Sequence, residues 1–225
     1  MWVLETEKLS KWYGEVLGLN HVDLQIGPGI QGLLGPNGAG KSTLIKLAVG
    51  LLAPSLGSVR VLGETVYRNV AIRHQIGYCP EVDAIYPQVT GLEWMIFLAR
   101  MYRLPRPLDA ARSALEQVGL LDAADRRVKA YSLGMRQRLK LAGALIHDPR
   151  VFFLDEPLRG IDPLWRLKVM DLIRTWARDG RTVFFSSHVL PDVETLTREI
   201  TLIHQGKIFA RGDLSHIRDL LDQHP

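Results

Sequence analysis

Apolar and polar residues alternate along Val22-Asp23-Leu24-Gln25-Ile26, the period of a strand with one covered face. Gly27-Pro28-Gly29 signals a turn, and the apolar run Ile30-Gln31-Gly32-Leu33-Leu34 follows it. A second strand pair is expected at Ser58 to Leu62, ending in Gly63-Glu64. From about Pro87 the period changes. Leu92, Met95, Ile96, Ala99 and Tyr102 recur at helical spacing until Pro105-Arg106-Pro107 breaks the chain. Leu108 to Val118 and Met135 to Ile146 read as further helices. Beyond Pro149, α and β patterns alternate again. Val151-Phe152-Phe153-Leu154 reads as a buried strand, Pro163 to Arg178 as a helix, and Thr182-Val183-Phe184-Phe185-Ser186 as another strand. Asp192 to Thr197 reads as a short helix, and Ile200–Ile203 with Ile208–Ala210 as a terminal hairpin. The pattern therefore predicts one α/β domain: a core and β part at about 1–86 and 147–225, with a helical subdomain inserted at about 87–146.

Composition narrows the class without naming a function. The 225 residues suit a single large domain, and 47% apolar with 23% charged residues is ordinary for a globular protein. The 20 glycines and 12 prolines are too scattered for a collagen or a disordered linker. A net charge of +4 is too mild to call for nucleic acid. The single cysteine, Cys79, rules out an internal disulfide framework and a multi-cysteine zinc site, which fits a reducing compartment. The segment Met1 to Lys8 lacks the apolar core of a signal peptide. The richest apolar run, Leu44 to Ala53, is broken by Lys46 and Gly50, so no bilayer-spanning helix is expected. The expectation is a soluble cytosolic chain whose membrane role, if any, comes through a partner.

The chemistry begins at Gly35-Pro36-Asn37-Gly38-Ala39-Gly40-Lys41-Ser42, followed by Thr43. This is a phosphate loop with an apolar strand running in and a helix running out. Glycines let backbone N–H groups and the helix N-terminus close on negative charge. Lys41 supplies a point charge for β- and γ-phosphates, and the Ser42 hydroxyl suits Mg²⁺. A second cluster, Asp155-Glu156, ends the apolar strand at Leu154. Strand ends are where ligands sit in open α/β sheets. Asp155 is assigned to Mg²⁺, through water, and Glu156 to orienting or deprotonating the water that attacks the γ-phosphate.

Five motifs then occur in one order: the Lys41 loop, Tyr131-Ser132-Leu133-Gly134-Met135-Arg136-Gln137-Arg138, Leu154-Asp155-Glu156-Pro157, Gly160-Ile161-Asp162 and Ser186-Ser187-His188. They resemble the Walker A, signature, Walker B, D-loop and H-loop motifs of the nucleotide-binding subunits of ABC transporters, over about Leu4 to Gly212. The wording around Ile76-Gly77-Tyr78-Cys79-Pro80-Glu81 is most similar to the exporter branch. The resemblance implies a P-loop NTPase (RecA-like) core with an N-terminal antiparallel β subdomain and an inserted α-helical subdomain. It implies ATP and Mg²⁺ as ligands, transmembrane permease subunits as partners, and a place on the cytoplasmic face of the membrane. It also implies a second ATPase subunit, in a homodimer or heterodimer, packed head to tail. Ser132 and Gly134 of one copy then complete the ATP site of the other, and Asp162 lies at the two-fold contact. His188 steadies the γ-phosphate and Glu156, and Tyr13 stacks on adenine, with neighbouring Trp12 as the other candidate. Asp162 before Pro163 also reads as a helix N-cap. A non-transport ABC ATPase acting on ribosomes or DNA is the alternative. Against it, the stretch between Lys41 and Ser132 holds no sustained heptads, and the chain carries one ATPase domain.

Some positions depart from the family wording. Glu81 stands where the family has a glutamine; as a carboxylate it accepts but cannot donate, though it remains a candidate Mg²⁺ ligand. Leu133 replaces the first signature glycine, and Leu158 replaces a hydroxyl residue with little expected effect. Trp94, Phe97, Leu98 and Met101 form a stripe read as subdomain core, although in the family this region also receives a helix of the membrane subunit, where an exposed aromatic would mark the contact. Arg126-Arg127, Lys129, Arg136 and Arg138 are read as solvated. Asp213 to Pro225 is amphipathic with no assigned role.

Overall fold

The computed structural model describes residues 2–215; the amphipathic tail beyond Ser215 lies outside the described residues. Two sheets organise the chain. Strands β1 (Leu4–Tyr13), β2 (Val16–Ile26), β4 (Leu56–Val61) and β5 (Glu64–Thr65) form an antiparallel sheet in the order β2-β1-β4-β5. Strands β3 (Ile30–Leu34), β6 (Ile76–Cys79), β7 (Val151–Leu154), β8 (Thr182–Ser187), β9 (Glu199–His204) and β10 (Lys207–Asp213) form the second, ordered β10-β9-β3-β8-β7-β6. Its β9-β3-β8-β7-β6 pairs are parallel, and β10 closes one edge as an antiparallel hairpin with β9.

Helix α1 (Lys41–Ala48) leaves β3, and the short α2 (Val70–Arg73) precedes β6. Between β6 and β7 lie α3 (Gly91–Met101), α4 (Pro107–Gln117) and α5 (Leu133–Leu145). Helices α6 (Pro163–Arg178) and α7 (Leu190–Leu196) connect β7, β8 and β9. β7 and β8 are buried at every residue, as a parallel sheet covered on both faces requires. Their alternate side chains feed two cores. Phe153 and Phe184 pack with α1 and the antiparallel sheet, whereas Phe152 and Phe185 pack with the helical region, Phe152 stacked on Trp176 at 4.1 Å.

Predicted helices meet observed ones within two residues at most ends, where terminal turns blur any boundary. Strand β2 starts earlier than its alternation suggested, because it pairs with β1 back to a tip at Gly14 (φ +60). Three breaks in that register disturb the period-two pattern there. The stripe on α3 is a correction. The buried side of α3 is Gly91, Met95 and Ala99, whereas Phe97 is 48% and Met101 65% exposed. Trp94 and Leu98 are half-buried at the margin. Gly91 is held to glycine by the Tyr131 hydroxyl, which an added Cβ would strike. Phe97 and Met101 therefore face outward, whereas Trp94 and Leu98 still pack against the core, Leu98 lying against Gly143 of α5.

Candidate nucleotide site

The phosphate loop joins β3 to α1 at the carboxyl edge of the parallel sheet. Gly38 (φ +79) and Gly40 (φ +106) take left-handed backbone, and at Gly40 an added Cβ would meet the Gly18 carbonyl oxygen at 2.8 Å. The loop is fastened to β8 by the Gly35 N–H donating to the Ser187 carbonyl at 3.3 Å. Lys41 is buried, and its Nζ donates to the carbonyls of Gly35 (2.7 Å) and Pro36 (3.2 Å). That ammonium also lies 3.4 Å from Glu156 Oε1. Loop residues Asn37 to Thr43, together with Gly18, Glu81 and Glu156, line one cavity of about 230 Å³.

Facing the loop, β7 ends in Asp155 and Glu156. Asp155 is fully buried. Burial raises its carboxyl above the usual range, the Ser186 and Ser42 hydroxyls pull it back, and the Glu81 and Glu156 charges push it further up. Ser186 Oγ donates to Asp155 Oδ1 at 2.7 Å and accepts the Glu156 N–H at 2.9 Å. One hydroxyl thus fixes both acids from the neighbouring strand. Glu156 sits at φ +50, a left-handed conformation unusual for a side-chain-bearing residue. Gln137 on α5 holds that turn, its Nε2 donating to the carbonyls of Glu156 (3.3 Å) and Pro157 (3.2 Å). His188 Nδ1 lies 3.0 Å from both Glu156 carboxylate oxygens.

A divalent cation fits this donor set. Among the described residues Asp155 Oδ2 is buried with no hydrogen-bond partner, and the Ser42 hydroxyl is near enough to the carboxyl to pull it down. Among the described residues no group of three or more His, Cys, Asp and Glu side chains could by itself enclose a metal. That suits Mg²⁺, which is held by one or two protein ligands together with phosphate oxygens and waters.

The other expected residues divide into two groups. Tyr13 stands beside the loop, its hydroxyl 3.3 Å from Thr43 Oγ1 and its ring packed over Gly18. Thr43 and Gly18 both line the nucleotide cavity, so Tyr13 is the aromatic near it; the Trp12 backbone N–H donates to Ser55 Oγ. Ser132 caps α5, accepting the Met135 N–H at 3.2 Å, and is exposed. Gly134 lies against the Gly160 carbonyl, 3.1 Å from an added Cβ. Asp162 caps α6 by accepting the Trp165 N–H at 3.1 Å. Ser132, Gly134 and Asp162 therefore cluster together and line no part of the cavity around Lys41.

Sequence reasoning missed the supports. Ser186 and Gln137 lay inside quoted motifs without a role of their own. Arg136 and Arg138 are corrections: neither is a free, solvated charge. Arg138 is buried, donates to the Val118 and Gly119 carbonyls, and stacks on the Trp165 ring at 3.8 Å. Arg136 pairs with Asp83 at 2.8 Å, as does Lys140 at 3.1 Å. Burial would raise the Asp83 carboxyl, but hydrogen bonds from Arg136 and Lys140 outweigh it and hold the group below the usual range. Glu81 lines the cavity as expected, but its carboxylate is ion-paired with Arg159.

A strand-to-helix phosphate loop facing a carboxylate-tipped parallel strand defines a P-loop nucleotide-binding domain. A family model described as ABC transporter matches residues 19–159. An ABC transporter ATP-binding protein of Nostoc sp. is 39% identical over 190 residues, covering 83% of this chain and 56% of that one. The bacitracin transport ATP-binding protein BcrA of Bacillus licheniformis is 35% identical over 219 residues, covering 96% of this chain and 71% of that one. A solved ATP binding subunit of an ABC transporter superposes with a TM-score of 0.86 at 27% identity, over 98% of this chain and 93% of that one. The chain belongs to the ABC transporter family, among its ATP-binding subunits. It spans a little over half of the Nostoc relative and about seven-tenths of BcrA.

Proposed function

We propose that this chain binds and hydrolyses ATP to drive a membrane transporter of the exporter type, acting through ATP-dependent head-to-tail pairing. The observation that carries the proposal is the Glu156 carboxylate, 3.4 Å from Lys41 and 3.0 Å from His188 in the cavity shared with the phosphate loop. The backbone N–H groups of Asn37, Gly38, Gly40, Lys41 and Ser42, with Thr43 behind them, cradle the phosphates, and Lys41 exchanges its carbonyl contacts for β- and γ-phosphate oxygens. Mg²⁺, held by Ser42 and Asp155 with Glu81 as a further candidate, supplies charge neutralisation at those oxygens when bound. Glu156 takes the proton of the attacking water, and His188 holds the carboxylate in line. Tyr13 offers its ring to adenine.

Ser132 and Gly134 serve a second chain's nucleotide. At the α5 N-terminus Ser132 and Leu133 are exposed, with Gly134 buried behind them, and this end lies outside its own chain's cavity, with N–H groups and a dipole end suited to phosphate. Asp162 sits at the contact between the two copies. The helical subdomain at about 87–146 is the docking surface for permease subunits. Exposed Tyr86 and Phe97 flank half-buried Trp94 in a run of ring contacts at 6.1 and 5.6 Å, an aromatic surface suited to an apolar helix. Among the described residues no helix is long and apolar enough to cross a membrane. The relation to a bacitracin transport protein supports the exporter assignment. The transported substrate is set by the membrane chain.

The test is Glu156→Gln, which keeps the shape and removes the base. Turnover is expected to fall at least about 100-fold with ATP binding retained. Light scattering in saturating Mg·ATP is expected to find the pair accumulating. Unchanged turnover would sink the assignment of Glu156.

A further inference from the structure

The cavity around the phosphate loop carries an electrostatic problem. Among the described residues Lys41 is the one cation lining it, whereas Glu81 and Glu156 line it and Asp155 is buried beneath. A nucleotide triphosphate brings several further negative charges. A glutamine at position 81 would add none, so Glu81 worsens the balance by a full charge. The Glu81 charge already reaches into the site, since it is one of the causes that push the Asp155 carboxyl up.

Arg159 meets that charge. Its guanidinium donates to Glu81 Oε1 from the turn that follows Glu156, where the Arg159 N–H closes on the Glu156 carbonyl at 3.2 Å. The Glu81 main chain is tethered beside the cavity. Its carbonyl accepts from Lys140 Nζ at 2.8 Å, and Lys140 and Arg136 pin the nearby Asp83 to α5. The ion pair itself is partly solvated, with side-chain exposures of 60% for Arg159 and 33% for Glu81. Such pairs contribute little to folding stability. Its effect falls on the field at the cavity.

Resting on the ATP-binding reading above, we propose that Arg159 is a positioning and charge-compensating residue. It neutralises Glu81 so that a carboxylate at this position tolerates the incoming phosphates. Sequence separation explains why the pair is invisible in the chain, since its members stand 78 positions apart.

The experiment is a double-mutant cycle read by equilibrium binding of a fluorescent ATP analogue to the full chain, with EDTA or with Mg²⁺. Arg159→Ala is expected to weaken metal-free binding about 5- to 10-fold, because the bare Glu81 carboxylate then repels the polyanion. In Mg²⁺ the loss is expected to shrink, since the cation offsets phosphate charge. Arg159→Lys is expected to recover most of the affinity. In a Glu81→Gln background, Arg159→Ala is expected to change binding less than about twofold. A deficit that persists undiminished in the Glu81→Gln background, or an Arg159→Ala variant binding like the parent, overturns the inference. If the parent chain itself fails to bind the analogue, it is the ATP-site reading that falls instead.

Discussion

The two halves of the ATP machinery are built differently. The phosphate loop, Asp155, Glu156 and Ser186 stand on buried strand ends, each acid held by hydrogen bonds within the chain. Ser132, Leu133, Gly134 and Asp162 stand on helix N-termini away from the Lys41 cavity, with caps satisfied locally. A half that must be correct before any partner arrives is preorganised by packing. If the other half acts on another chain, as proposed, its side chains have to remain accessible, and Ser132 and Asp162 are exposed and placed by helix caps. Substitutions within and beside the two halves test this contrast.

The largest effect is expected at Ser132→Arg. The side chain is exposed, so the fold loses only a cap, about 1 kcal/mol. If the surface half completes a second chain's site, turnover falls about 100-fold, while nucleotide binding to the isolated chain stays at the parental level. Turnover at the parental rate would remove this half from the reaction.

Ser186→Ala probes the buried half. It strips Asp155 Oδ1 and the Glu156 N–H of their shared partner. Leaving buried polar groups unpaired costs about 2 kcal/mol of stability. Turnover should drop roughly tenfold as Glu156 loses its anchor, by the same energetics. Denaturant unfolding and steady-state rates check the two effects separately. Stability and rate both at parental values would mean that packing alone positions the acids.

A pH titration reports on the packing behind both halves. His147, just past the end of α5, is neutral: its Nε2–H donates to the Ile76 carbonyl at 3.0 Å, and its ring stacks on Tyr102 at 3.7 Å. Burial, only partly opposed by that hydrogen bond, lowers it to about 4 from the usual 6.5. The unfolded chain therefore takes up a proton below about pH 6.5, while the folded chain resists until about pH 4. Stability is complete above that window and declines as pH falls through it, by about 2 kcal/mol after allowing for the partly open ring. His147→Phe should flatten this acid limb in denaturant melts, even if its absolute stability differs. An acid limb unaltered by the substitution would assign the loss to the carboxylates.

What the chain disclosed in advance follows the same division. The phosphate loop and the acids after Leu154 were legible because the strand, turn and helix that build them are contiguous. The supports were not. Ser186 serves residues 30 and 31 positions away, and Gln137 clamps a turn 19 and 20 positions away. On α3, helical spacing showed that Trp94, Phe97, Leu98 and Met101 share a side, but spacing carries no information on whether that side is covered. Gly91, Met95 and Ala99 take the inside, where an added Cβ at Gly91 would strike the Tyr131 hydroxyl. Arg138 looked solvated for the converse reason: its ring and carbonyl partners come from α6 and the end of α4.

The smallest expected effect concerns Tyr13, which belongs to neither half. It projects from the tip of the β1–β2 hairpin, 45% exposed, tied to the loop by one contact with Thr43. An exposed ring offers stacking worth about 1 kcal/mol, so Tyr13→Ala should weaken ATP binding about fivefold. Tyr13→Phe should stay within about twofold, because the face does the stacking and the hydroxyl contact is solvent-accessible. Trp12→Ala should leave affinity alone, since successive side chains of β1 point to opposite faces and Tyr13 holds the face beside the loop. A loss at Trp12 equal to that at Tyr13 would transfer the adenine contact from one ring to the other. A comparable loss on comparing ATP with the bare triphosphate chain, which has no base to stack, would show that the hairpin tip acts on phosphate and belongs with the buried half after all.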